Sequence, residues 1–335
     1  MKIGDFDLNK DILIIAEIGN NHEGSYALAE EMIGLAAQAG AGAVKFQTFI
    51  PERTVSSRQK ESIEQLKRFQ LTYNEFEKLS QVAKNENVIF LSTPFDIESV
   101  KFLETLVPAY KIASGDNNFF PMIDVIAHTG KPIIMSVGLI DFTGVKNTID
   151  FIKNIWNKNA IDQDVAVLHC VSLYPTPPDE ANLLAIEELK RLNVTVGYSD
   201  HTVGNEAAVI SVVLGARIVE KHFTIDKNYS DFRDHQLSAD PKEMAWFVQQ
   251  TKRISTILGK EEIVPQDREK DLVKSLRRSI VASRDLQEKE VIGWGDITWI
   301  RPGNGLPPGK ENLVLGKQLK KPLKMGDQLN PDELF

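Results

Sequence analysis

The sequence has a single cysteine, Cys170. One thiol forms no intrachain disulfide and no cysteine-based zinc site. A reducing, cytoplasmic setting is the expectation from that usage. Long hydrophobic runs are missing as well. Uncharged stretches in the strand-and-helix part of the chain, such as Ala207 to Ala216, fall well short of the ~20 residues that cross a bilayer. Met1 to Asp11 carries Asp5, Asp7 and Asp11 and has no apolar centre, so no secretory signal is expected. Basic residues are not in excess: 39 Lys and Arg face 47 Asp and Glu, for a net charge of −8. That balance excludes the basic footprint of a general nucleic-acid binder. It leaves room for an anionic small molecule held by a few local lysines. No low-complexity tract and no HExxH motif occurs.

What the 335 residues do contain is ordinary globular material, 42% hydrophobic and 26% charged. Eight short apolar runs recur: Ile12–Ala16, Ala43–Phe46, Val88–Leu91, Tyr110–Ala113, Pro132–Met135, Val165–Leu168, Val194–Gly197 and Arg217–Val219. Each is apolar through its middle, as strands buried on both faces of a parallel sheet are. Amphipathic segments follow them, among them Ser25–Gln38, Asn74–Lys84, Val145–Trp156, Leu183–Leu192 and Lys242–Leu258. Ser25 and Asp240 are placed to cap two of these helices, and glycine follows others at Gly40, Gly130 and Gly215.

Eight strand–helix units predict an α/β protein with a (β/α)8 TIM barrel over residues 1–258. The runner-up is an open doubly wound sheet. The lack of a GxGxxG after the first run speaks against its dinucleotide-binding form. Residues 259–277 are polar and charged and read as a linker. From Arg278 to Phe335 short runs are broken by glycine and proline, as in RPGNGLPPG at 301–309. That texture predicts a small, mainly β domain, marginal by itself.

In such a barrel the chemistry lies where strands end. Glu17, Gln47, Ser136 and Ser199 stand at or just past the run ends, and Lys45 and Lys111 sit inside otherwise apolar runs. A buried lysine is expensive without an anionic partner. A phosphate or carboxylate ligand supplies one; so does an internal pair with Glu17 or Glu220. Glu17 is placed to act as a general base or to orient a water, unless it serves only as that ion pair. His201 and His222 close adjacent strands, so their imidazoles can meet over the mouth and suit a divalent Lewis acid. Two packed, hydrogen-bonded histidines are the plainer alternative. Asp234 and His235 lie in the loop after the eighth run, within reach of a polyol. Cys170 reads as a small core residue, and a Cys170–His169 nucleophile is disfavoured because neighbours on a strand face opposite ways.

Nine segments then align with a known pattern: AEIGNNHEG (16–24), VKFQTF (44–49), STPFD (92–96), YKIASGD (110–116), GKPIIMSVG (130–138), LHCVSLYPTP (168–177), GYSDHTVG (197–204), EKHFT (220–224) and RPGNG (301–305). In order and over essentially the whole chain, they resemble the sialic acid synthase family. The tail from Arg278 resembles that family's antifreeze-like (SAF) domain.

The resemblance implies an enzyme, a metal-dependent transferase. It would condense phosphoenolpyruvate with the open-chain aldehyde of N-acetylmannosamine or a related acylated amino sugar, with release of phosphate. His201 and His222 would hold a divalent metal, Mn2+ or Mg2+, that polarises the aldehyde. Lys45, Lys111, Ser114, Ser136, Ser172 and Ser199 would hold phosphoenolpyruvate. Gln47, Asp116, Tyr174 and Asp234 would contact the sugar. Glu17 would steer or deprotonate the water. Arg301 would reach the sugar's acyl group from a partner subunit, in a domain-swapped homodimer. Three features depart from the usual pattern: Asp116 stands for glutamate, Val137 for threonine, and NYSDFR precedes Asp234 where a PGP-type stretch is usual. A diacetamido-trideoxyhexose, giving a legionaminic- or pseudaminic-type product, is therefore the alternative acceptor. A Schiff-base barrel aldolase and a non-catalytic sugar-binding protein are the readings from other classes.

Overall fold

The computed structural model describes all residues, Met1–Phe335. It divides into two compact units, Met1–Gly259 and Lys260–Phe335.

The first unit is built on eight parallel strands: β1 (Leu13–Gly19), β2 (Ala43–Thr48), β3 (Ile89–Pro94), β4 (Tyr110–Ile112), β5 (Ile133–Ser136), β6 (Val165–Cys170), β7 (Thr195–Asp200) and β8 (Ile218–His222). Their hydrogen-bonded order is β3-β2-β1-β8-β7-β6-β5-β4. The two ends of this order, β3 and β4, lie against each other, so the sheet is a nearly closed, TIM-like barrel. Every strand residue expected to be buried on both faces has a reason to be. Ile14, Ala16, Val44, Phe46, Val167 and Val219 point outward and pack under the helices. Leu13, Ile15, Ala43, Leu91, Ala109, Ile134, Leu168 and Ile218 point inward and fill the barrel. A short N-terminal hairpin, Lys2–Ile3 with Phe6–Asp7, adds Ile3 and Leu8 to that inner cluster.

The helices start where short polar side chains satisfy free backbone N–H groups. Ser25 accepts from Leu28 at the head of Tyr26–Gln38. Asp240 and Glu243 form a capping box on Pro241–Leu258. The loop between β2 and β3 holds two helices that periodicity did not reveal, Pro51–Thr54 and Lys60–Phe69. The second buries only Ile63 and Phe69, too few apolar anchors to stand out in the sequence. The expected helix at Leu183–Leu192 is shorter, Ala185–Leu189 followed by a 3-10 turn.

In the second unit, residues 259–277, expected as a linker, include a helix at Asp267–Leu276. Beyond it, β9 (Ser279–Ala282) pairs antiparallel with β10 (Ile297–Ile300). This unit has its own small core, including Ile280, Leu286, Ile292, Val314, Leu319 and Leu329.

One glycine shows how tightly the barrel is packed. A Cβ at Gly197 would run into the Ile218 carbonyl on β8 and the Leu168 side chain on β6, whereas one at Gly115 meets nothing. Gly197→Ala is expected to destabilise the fold by about 1–3 kcal/mol, the usual cost of overpacking. Gly115→Ala serves as the control, and denaturant unfolding of both proteins checks the difference.

Candidate active site

The period-2 alternation of the strands builds the site. Counting upward in twos along the inward face, Leu13 and Ile15 lead to Glu17, and Ala43 leads to Lys45 and Gln47. By the same step Leu91 leads to Thr93, Ala109 to Lys111, Ile134 to Ser136, Gly197 to Ser199 and His201, and Ile218 to Glu220 and His222. A hydrophobic plug thus gives way, at one level, to a layer of charged and hydroxylic groups. They line a cavity of about 220 Å3 at the C-terminal ends of the strands.

Four buried charges form its floor. Lys45 Nζ lies 2.8 Å from Glu17 Oε2 and 3.7 Å from Glu220 Oε2, and it donates to Thr93 Oγ1 at 3.1 Å. Lys111 Nζ lies 3.6 Å from Glu220 Oε1 and donates to Ser136 Oγ at 2.7 Å. Ser199 Oγ donates to the same Glu220 oxygen at 2.9 Å. All four charged side chains are almost fully buried. Burial pushes the Glu17 carboxyl up, to about 7; Lys45 pulls it back and the Glu220 carboxylate pushes it further up. Burial also disfavours the charge on Glu220, but Lys111 and Lys45 outweigh it and hold that carboxyl below the usual range. For Lys45 burial opposes the charge and the two carboxylates win, so its ammonium is strengthened. For Lys111 burial wins, and its affinity for the proton falls. The lysines therefore take the internal partners that the sequence left open.

His201 and His222 stand above this floor with ring centroids 5.5 Å apart. His201 Nδ1 lies 2.8 Å from the Val171 carbonyl, to which its N–H donates. His222 Nδ1 is buried and has no hydrogen-bond partner. Burial, with the charges of His201 and Lys45, drives His222 well toward the neutral imidazole. No three His, Cys, Asp or Glu side chains converge to hold a metal ion. The Tyr174 ring lies 4.0 Å from that of His201.

Ser114, Ser172 and Gln47 also line the cavity. Ser114 Oγ accepts from the Gly138 amide at 3.0 Å, and the buried Ser172 hydroxyl has no partner. Gln47 donates to Glu17 Oε1 at 3.3 Å and accepts from Asn20 at 2.9 Å. Cys170, expected as core, lines the cavity too, its Sγ 3.7 Å from His201 Nδ1. Two expected residues of the first unit stand apart. Asp116 sits half-buried in the turn Ser114–Asp116, where burial raises its carboxyl. Asp234 is buried and paired with Arg233. Arg301 lies in the second unit, exposed, and donates to the Leu276 carbonyl.

Sequence reading passed over Thr93 and Arg233, and weighed Glu220 only as a neutralising partner. Counting in twos from Leu91 and Ile218 would have found the strand residues. Nothing in the sequence marks Arg233. The remaining strand-end histidines are bonded elsewhere. His169 meets the Ala181 carbonyl at 2.8 Å, and His235 meets Thr224 Oγ1 at 2.7 Å and Glu23 Oε1 at 3.2 Å. His22 Nδ1 accepts from Gly24 N at 3.0 Å, and burial lowers its pKa to about 4.

Removing one partner of this floor leaves buried charge unpaired. Lys45→Met is expected to cost about 3–5 kcal/mol. Lys45→Met combined with Glu17→Gln should recover part of that loss, and urea unfolding of the two variants measures the difference.

Residues 32–263 match the NeuB family and residues 277–334 match the SAF domain. An N,N'-diacetyllegionaminic acid synthase of Campylobacter jejuni is 36% identical, covering 94% of this chain and 98% of that protein. A pseudaminic acid synthase of the same species is 34% identical over 98% of both. A crystal structure of an N-acetylneuraminic acid (sialic acid) synthetase from Leptospira borgpetersenii, in complex with citrate, superposes with a TM-score of 0.77 at 34% identity. It covers 82% of this chain and 94% of that one. The chain belongs to the NeuB family and carries a SAF domain at its C-terminal end.

Proposed function

We propose that this protein condenses phosphoenolpyruvate with the open-chain aldehyde of N-acetylmannosamine or a related acylated amino sugar. One observation carries the reading: two buried lysines and a set of hydroxyls converge on one small cavity of a NeuB-family barrel. Lys45, Lys111, Ser114, Ser136, Ser172 and Ser199 hold the phosphate and carboxylate of phosphoenolpyruvate. An arriving anion takes over some of the charge pairing that Glu17 and Glu220 supply without it. Gln47, Tyr174, Asp116 and Asp234 serve the sugar.

Carbon 3 of phosphoenolpyruvate attacks the aldehyde carbon, a C–C bond forms, and the aldehyde oxygen takes a proton. Positive charge at carbon 2 is quenched by water, and the resulting tetrahedral adduct releases phosphate by cleavage of its C–O bond. Glu17, its proton affinity raised by burial, orients that water and accepts its proton. Lys45 and Lys111 stabilise the departing phosphate. The paired imidazoles, with the unpartnered Nδ1 of His222, suit a divalent ion held by two nitrogens, Mn2+ or Mg2+. When bound, such an ion supplies Lewis-acid polarisation of the aldehyde.

The second acceptor reading, a diacetamido-trideoxyhexose, is favoured by the identity to relatives named as legionaminic and pseudaminic acid synthases. A Schiff-base aldolase through Lys45 fits less well, because two carboxylates hold that lysine protonated and a neutral amine is needed; Lys111, whose proton affinity burial lowers, is the lysine left to that reading. A reducing cytoplasmic setting and a homodimer belong to the reading. No helix is long and apolar enough to cross a membrane.

Phosphate release is expected only when phosphoenolpyruvate, an acylated amino sugar and a divalent metal are all present. Loss of that release with chelator and its return with manganese check the metal. Release without any sugar, or a borohydride-trapped lysine adduct, would overturn the synthase reading. His222→Ala should lower the affinity for manganese at least about tenfold, read by calorimetry on the protein without substrate. A particle of two chains' mass in light scattering checks the dimer.

A further inference from the structure

A second cavity, of about 630 Å3, opens between the loop after β1, helix Lys60–Phe69 and the loop after β8. Its walls include Glu23, Arg68, Phe69, Asp231, Phe232 and Arg233. Arg233 joins it to the reaction cavity. The guanidinium stands 4.5 Å over the Tyr174 ring, which lines that cavity, while Nε and Nη2 both lie 2.9 Å from Asp234 Oδ1. Arg233 thus bridges two residues already assigned to the sugar, and its remaining N–H donors are free for a ligand. The Phe69 and Phe232 rings are 4.8 Å apart and give the cavity an apolar wall.

We propose that this cavity is the distal subsite of the acceptor, resting on the synthase reading above, and that it takes an uncharged hydrogen-bonding end, hydroxyl or acylamido, rather than a phosphorylated one. The signs of the charges decide this. Two guanidiniums, Arg68 and Arg233, face three carboxylates, Glu23, Asp231 and Asp234. Arg233 is already paired with Asp234, and Arg68 alone has no ion pair. Glu23 is hydrogen-bonded by His235 and Ser230 and lines the cavity. A phosphate dianion would meet one unengaged cation and two carboxylates. An acylamido group suits the lining better. Its carbonyl accepts from guanidinium N–H groups, its N–H or a neighbouring hydroxyl donates to a carboxylate, and its methyl packs on the phenylalanines. Arg233 is in this account a specificity-determining residue, whose loss should weaken the acceptor and leave phosphoenolpyruvate untouched.

The experiment compares wild type, Arg233→Ala and Arg68→Ala with three probes: N-acetylmannosamine, its 6-phosphate and a 2,4-diacetamido-trideoxyhexose. Both arginines are exposed, but Arg233→Ala leaves the buried Asp234 carboxylate without its partner, so thermal unfolding checks that each variant keeps the fold. Wild type is expected to favour an uncharged sugar over the phosphorylated one by about tenfold or more. Each variant should raise the acceptor KM several-fold, with the KM for phosphoenolpyruvate held within about twofold. Calorimetry of each sugar alone reads the same effect without turnover. Unchanged acceptor affinity in both variants overturns the subsite. So does a preference for the phosphorylated sugar that either variant abolishes. Absence of phosphate release from wild type with every sugar overturns the synthase reading instead, and the calorimetric comparison still decides the subsite.

Discussion

The four-charge floor formed by Glu17, Lys45, Lys111 and Glu220 is the constraint on which the site depends. Two ammonium and two carboxylate groups are taken out of water at the level where the barrel's apolar plug ends. Such groups are tolerable only when each has a partner of opposite sign within a few ångströms. The parallel register provides this. Glu17 on β1 lies opposite Lys45 on β2, and Glu220 on β8 reaches both lysines from the far side of β1. Glu220 is therefore the hinge of the arrangement. It lies within 4 Å of both ammonium groups, shared with Glu17 at Lys45 and the one carboxylate partner of Lys111.

A second buried pair works from the outside of the barrel. Lys221 and Asp200 are register partners on β8 and β7, each one residue before His222 and His201. Their side chains point outward, opposite to the histidines, and meet at 2.8 Å with almost no exposure. Lys221 also donates to the Thr202 carbonyl, and Asp200 accepts from the Thr202 amide and hydroxyl at 2.8 Å. The pair ties the ends of the two strands that carry the imidazoles. The histidine spacing is thus fixed by charges that never face the cavity.

Much of this was legible in the sequence. The eight strands were marked by apolar runs, because strands covered on both faces carry almost no polar residues until they end. The polar ends were legible for the same reason: Lys45 and Lys111 are conspicuous only against an apolar background. Helix Lys60–Phe69 was not legible, since its two buried residues leave no periodic stripe. The helix at Asp267–Leu276 was hidden likewise, with no buried residue and a charged sequence that reads as a linker. Arg233 was invisible, because a loop arginine is ordinary until its guanidinium is seen on the ring of Tyr174.

The sequence by itself determined the kind of barrel and the chemical inventory at its mouth, because burial on two faces and the period-2 alternation are local properties of each strand. It also carried enough matching segments to place the chain in its family. Tertiary structure alone decided which charges meet. Lys45 could have faced a ligand, Glu17 or Glu220; it touches both carboxylates because three strands, far apart in the chain, bring them to one level. Whether a lysine is paired, an imidazole is unpartnered or a loop arginine stacks depends on distances across the barrel. Those distances are set by packing, which no stretch of the chain contains.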